Sequence, residues 1–157
     1  MKLYFKQRVT AFLAAYDVYD EAGNTVYTAE SQASWGQLIH VRGANGNYLA
    51  SVKQKFWAWR STCEIYIGPD YAGTIRRDGP LFSTHYAIDY RGWTVSGNFM
   101  ESDYSICDAS GAMVAAVSKE LFHLTDQYCI EILNPDDALH VLCFVLAIDA
   151  EKAARST

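Results

Sequence analysis

The chain has 157 residues, half of them hydrophobic and 14% aromatic, with 18 acidic and 13 basic side chains and a net charge of −5. That length supports one domain, 1–157, with a real core, and the composition excludes a disordered or low-complexity chain. The acidic balance argues against a general nucleic-acid binder, which needs a strongly basic face.

The first segment alternates. Leu3, Phe5 and Val9 point one way and Lys2, Lys6 and Arg8 the other, the pattern of a half-buried strand. Residues 16–20 and 25–30 flank Glu21-Ala22-Gly23-Asn24, and 38–42 and 48–55 flank Ala44-Asn45-Gly46-Asn47. Asn45-Gly46 is a strong hairpin signal because both positions tolerate φ > 0. A strand over 58–67 stops at Gly68-Pro69-Asp70, and a short one over 74–77 stops at Asp78-Gly79-Pro80. Residues 85–90 and 93–96 predict a hairpin around Arg91-Gly92, and 102–108 and 113–119 another around Ala109-Ser110-Gly111. Residues 127–133 end the β region, giving about twelve strands, all antiparallel neighbours.

Part of this pattern is repeated. Residues 41–67 align without a gap on 106–132: Ala44, Gly46, Ala50, Val52, Ile65 and Ile67 fall on Ala109, Gly111, Ala115, Val117, Ile130 and Ile132. A shorter copy places Val18, Gly23, Asn24 and Val26 on Val41, Gly46, Asn47 and Leu49. Each unit is a strand, a Gly-containing turn and a second strand.

The period then changes. Asn134 is placed as an N-cap, Pro135 fits the first helical position, and Asp136 and Asp137 oppose the positive end of the helix dipole. The run 138–148 is apolar except for His140, after which Asp149, Glu151, Lys152 and Arg155 are expected to return the chain to water. A helix that is apolar on nearly every face must be surrounded. A bilayer span needs about 20 apolar residues, so this run (central helix over 135–150) is expected inside a closed β-barrel and not as a transmembrane segment. Leu139, Leu142, Phe144, Val145, Leu146 and Ile148 should fill that barrel, leaving no room for a large internal ligand.

The four cysteines, Cys63, Cys107, Cys129 and Cys143, form no C-x-x-C pair. The charged start at Lys2, Lys6 and Arg8 lacks the apolar core of a secretory signal. Free thiols in a reducing cytosol are the expectation, with a contact between Cys107 and Cys129 left open.

The stretches Met1-Lys2-Leu3-Tyr4-Phe5-Lys6-Gln7, Tyr16-Asp17-Val18-Tyr19-Asp20-Glu21-Ala22-Gly23-Asn24, Val52-Lys53-Gln54-Lys55 and Leu146-Ala147-Ile148-Asp149 add to the closing apolar helix. In this order they resemble the LURP-one-related family, which shares the Tubby C-terminal-like fold with phospholipid scramblases. The resemblance covers essentially the whole chain and is with small bacterial members that consist of this domain alone. It implies a twelve-stranded barrel around one central C-terminal helix. Plant relatives are linked to defence, Tubby domains to phosphoinositides and scramblases to lipid movement, but fold likeness alone transfers none of these activities.

One stretch carries chemistry. In Lys53-Gln54-Lys55-Phe56-Trp57-Ala58-Trp59-Arg60 cations are interleaved with large aromatics, a pattern that attracts anionic headgroups and seats Trp rings at a membrane interface. Arg76 and Arg77 would add to it. The competing interpretation places these aromatics in the barrel core. It draws on the repeat, where Ser118-Lys119-Glu120-Leu121-Phe122-His123-Leu124-Thr125 keeps the apolar positions and loses the charges. The histidines are scattered, no G-x-S-x-G or Gly-rich phosphate loop occurs, and no metal or cofactor is expected. His140 is expected as a hydrogen-bonded residue near the barrel rim. The leading expectation is a non-enzymatic binding or scaffold domain with an unknown protein partner. The alternative is a peripheral module for anionic lipid or phosphoinositide through Lys53, Lys55, Trp57, Trp59, Arg60, Arg76 and Arg77. Scramblase-like lipid transfer comes last.

Overall fold

Alternation at the head of the chain becomes a strand. In β1 (Lys2–Arg8), Leu3 and Phe5 are buried and Lys6 is exposed. There follow β2 (Ala15–Tyr19), β3 (Thr25–Gln32), β4 (Leu38–Gly43), β5 (Tyr48–Trp57), β6 (Arg60–Ile67), β7 (Asp70–Asp78), β8 (His85–Tyr90), β9 (Thr94–Asn98), β10 (Asp103–Cys107), β11 (Met113–Glu120) and β12 (Gln127–Ile132). A 3₁₀ turn (Pro135–Asp137) leads into the helix α1 (Ala138–Ala153). This computed structural model describes residues 1–8, 13, 15–34, 37–57, 60–78, 85–98, 101–120 and 127–153.

The strands form one sheet in the order β8-β7-β6-β5-β4-β3-β2-β1-β12-β11-β10-β9, antiparallel throughout. It curls into a nearly closed barrel, joined where β1 pairs with both β2 and β12. The repeat is visible as geometry. Val41 pairs with Ala50 and Ala50 with Ile67, as Ile106 pairs with Ala115 and Ala115 with Ile132. The ladder shifts register at Val41/Arg42, at Ile106/Cys107 and, in the shorter copy, at Val18/Tyr19. The turn after each shift contains a glycine in the left-handed region: Gly46 (φ 82), Gly111 (φ 86) and Gly23 (φ 84).

The hairpin expected around Arg91-Gly92 is only half realised. Arg91 and Gly92 adopt φ 54 and 67, and the Trp93 amide donates to the Tyr90 carbonyl at 2.9 Å. Yet β8 and β9 do not pair; they are the two edges of the sheet. Tyr90 and Trp93 both turn inward, with ring centroids 5.4 Å apart, and both pack on Phe144 of α1 at 6.1 and 6.0 Å. Two large rings seated on the helix at the base of the turn hold the strands apart.

A twelve-stranded barrel is wider than the eight-stranded kind whose own side chains fill it. Here α1 occupies the extra space, and every residue from Val141 to Ile148 is at most 2% exposed. Its start matches expectation in chemistry, since the Asn134 side chain accepts from the Asp136 amide, though the first turn is 3₁₀. At that end His140 binds the β8–β9 turn. Arg91 donates to His140 Nε2 (3.3 Å), so Nδ1–H faces the Tyr90 hydroxyl (3.1 Å), which donates in turn to the His140 carbonyl. Burial and the neighbouring Arg91 hold this imidazole below its ordinary pKa.

One expectation is corrected and one open point is answered. Glu151 does not return to water but is 1% exposed, and the helix emerges only over its last residues, with Lys152 half-buried and Ala153 exposed. Cys107 and Cys129 are not neighbours, because β11 separates their strands and they pair at different levels, with Met113 and Ser118. None of the four cysteines is in a disulfide.

Candidate functional site

Alternation decides what the β5–β6 hairpin shows to solvent. Val52, Gln54, Ser61, Cys63 and Ile65 are buried on the inner face. Lys53, Lys55 and Trp57 on β5 and Arg60 and Thr62 on β6 fall on the outer one. The register sets them in rows across the sheet. Trp57 faces Arg60; Lys55 is followed by Thr62, Arg76 and Ala87; Lys53 is followed by Glu64, Thr74 and Asp89.

Lys55 forms an ion pair with Glu64, which also accepts from the Tyr66 hydroxyl at 3.1 Å. Among the described residues Lys53, Arg60 and Arg76 carry no ion pair. Small side chains at Thr62, Thr74 and Ala87 leave a groove of about 430 Å³ beside Arg76. Arg77 falls on the opposite, inward register with Ile75 and Tyr86, so it does not join this face.

The aromatics are not core. Trp57 is 85% exposed and Phe56 56% exposed, both at the tip of the hairpin. Trp59, and most of the repeat stretch 118–125 that suggested a core role, lie outside the described residues. The repeat keeps apolar residues at these positions, but Phe56 and Trp57 lie exposed at the end of β5, beyond Gln54, the last buried residue of that strand.

Beneath the same hairpin lies a cluster that sequence patterning missed. Ser61 Oγ donates to one carboxylate oxygen of Glu151, and Gln54 Nε2 (3.5 Å) and Cys63 Sγ (3.3 Å) reach the other. Gln54 also donates to the Ala150 carbonyl at 3.1 Å. Burial, with Glu151 close by, pushes the Cys63 thiol far up, so it is no nucleophile. The only sequence signals were a polar Gln54 and Ser61 at inward positions of otherwise apolar strands.

A second polar region sits at the barrel mouth around the end of α1. Lys152 Nζ lies 2.9 Å from Ser102 Oγ, 3.6 Å from Asp149 and 5.9 Å from the centre of the Tyr128 ring. Burial pushes the Asp149 carboxyl up to about 6, with Lys152 acting against the shift. Among the described residues no group of three or more His, Cys, Asp or Glu side chains is placed to hold a metal, and no helix is long and apolar enough to cross a membrane.

Barrel, filled core and repeat together pose the question of kinship, and residues 1–149 match the LURP-one-related family. The chain belongs to that family. Among relatives of this LURP-one-related protein is the uncharacterised protein YxjI of Bacillus subtilis (strain 168). It is 23% identical over 149 residues, covering 94% of this chain and 90% of that one. The fold is also similar to an X-ray structure of an Arabidopsis thaliana protein, with TM-score 0.63 and 15% identity over 94% of this chain and 90% of that one. Family membership supports the barrel with its C-terminal helix and assigns no reaction.

Proposed function

We propose that this LURP-one-related domain is a non-enzymatic peripheral membrane module that docks on anionic lipid through the outer face and tip of the β5–β6 hairpin. The observation that carries this is the 85% exposure of Trp57 beside Arg60, with Lys53, Lys55 and Arg76 on the same face. An exposed Trp at a hairpin tip costs solvation and is retained where it has an interface to enter.

Magnitudes decide which groups matter. Each cation near an anionic surface contributes about 1 kcal/mol. Lys53, Arg60 and Arg76 then supply roughly 3 kcal/mol, weaker than millimolar binding on their own. Burying the exposed part of Phe56 at the interface adds about 1–1.5 kcal/mol, and the larger and more exposed Trp57 contributes more. Charge therefore selects the surface and the aromatics hold the protein there. Arg76 and the Thr62 hydroxyl are where a lipid phosphate would sit, and Asp89, which also lines the groove beside Thr74, would favour a headgroup that carries an ammonium. Co-sedimentation with phosphatidylcholine and phosphatidylserine vesicles at low and physiological salt tests the proposal. Salt-sensitive binding to the anionic vesicles alone is expected, and absence of binding at low salt would leave a protein-partner scaffold as the better explanation.

A further inference from the structure

At the mouth of the barrel, on strands other than β5 and β6, a cleft of about 670 Å³ opens between the start of β10, the end of β11, the start of β12 and the last turn of α1. Its walls carry both signs of charge. Lys119 comes from β11 and Lys152 from the helix; Glu101 and Asp103 come from the β10 side; Ser102 and Ser118 add hydroxyls. A simple anion would meet Glu101 and Asp103, and a simple cation would meet Lys119 and Lys152. A ligand bearing both charges satisfies the two sides together.

The cationic side is already organised. Lys152 is fixed by contacts to Ser102, Asp149 and the Tyr128 ring, and its side chain is only 14% exposed. Ser102 is 4% exposed and holds a left-handed backbone (φ 55). Since Ser102 Oγ accepts from Lys152, its own proton is left to donate to a ligand. Ordering these groups in advance lowers the entropy lost on binding. Two ammonium groups and two hydroxyls lining one cleft suit the several acceptor oxygens of a phosphate better than the two of a carboxylate.

We propose that the cleft binds an aminoalkyl phosphate, with the phosphate on Lys119, Lys152, Ser102 and Ser118 and the ammonium toward Glu101 and Asp103. The space exceeds such a head alone and admits an ester on the phosphate, so the ligand is either a free phosphoethanolamine or phosphoserine or the same group as a lipid head. The site uses different strands from the hairpin and does not depend on membrane docking there.

The test is a titration of the full chain, followed by amide resonances, with O-phosphoethanolamine and O-phosphoserine; inorganic phosphate and ethanolamine serve as single-sign controls. Saturable shifts at Ser102, Ser118 and Tyr128 are expected, with each control at least about tenfold weaker, the loss of one charge-assisted contact. Lys119→Ala and Asp103→Asn, both at exposed positions, should each weaken binding about tenfold at an unchanged melting temperature. If one variant melts early, Ser118→Ala takes its place. Short-chain phosphatidylserine and phosphatidylethanolamine, kept monomeric, separate the sources: tighter binding than the free head marks a lipid ligand, and weaker binding a free one. No saturable shift, or inorganic phosphate binding as well as the zwitterions, would overturn the proposal.

Discussion

Ser61 donates a hydrogen bond to Glu151 from the inner face of a strand whose next residue back, Arg60, is exposed on the outer face. The helix inside the barrel thus grips the hairpin that carries the proposed docking surface. Removing one side of a buried hydrogen bond costs more than the bond itself contributed, because the remaining group stays desolvated. Ser61→Ala, which leaves the buried Glu151 carboxyl short of a donor, should destabilise the fold by about 1–3 kcal/mol, and Glu151→Ala, which strips Ser61 of its acceptor, by a similar amount. Urea denaturation measures both; near-zero values would mean the cluster does not hold the helix.

The helix is the centre of the core, so its middle should tolerate neither charge nor loss of volume. Val145 is 1% exposed and Leu142 fully buried. Val145→Asp places an unpaired charge among apolar side chains and should abolish folding. Leu142→Ala leaves a cavity and should cost about 2–5 kcal/mol. A Val145→Asp protein with a native-like melting curve would contradict the buried helix.

The strands and the helix start were legible because their signals are local: period-two alternation, Asn45-Gly46 at a turn, Asn134-Pro135 at a cap. What escaped notice depends on distant partners. Glu151 reads as solvent-facing until Gln54 and Ser61 are seen beneath it, more than 85 positions away in the chain. The unpaired β8–β9 junction follows from Tyr90 and Trp93 meeting Phe144, which no local pattern reveals. Trp57 and a core Trp look alike in sequence; only the position of the barrel rim separates them.

Asp149 should give the protein a measurable pH dependence. Its carboxyl titrates at about 6 in the fold, against about 3.9 when unfolded. Between about pH 4 and 6 the native state keeps a proton that the unfolded chain has lost, so this group adds stability as pH falls through that window. Above it, the charge opposes folding in full. Asp149→Asn should gain on the order of 2 kcal/mol at pH 7.5 and nothing near pH 4. His140 acts in the opposite sense, its neutral form being favoured in the fold, so stability from it is lost as pH falls. Comparing variant and parent at each pH cancels that contribution. A gain independent of pH would exclude Asp149 as its source.

Trp57 should matter more to membrane affinity than to stability. At 85% exposure its replacement removes little packing. Trp57→Ala is expected to leave the melting temperature within about a degree or two, as for other exposed surface changes, and to weaken binding to anionic vesicles at least about tenfold. Equal vesicle binding by the variant would place the contact elsewhere.

Docking by this particular face, and not by net charge, is tested most directly by two matched charge reversals. Lys53→Glu with Arg60→Glu alters the hairpin; Lys2→Glu with Lys6→Glu makes the same change of charge on β1. Co-sedimentation with phosphatidylserine vesicles at low salt should lose the first variant and keep the second. Equal loss in both would show that overall charge governs binding and that the β5–β6 hairpin is not the docking surface.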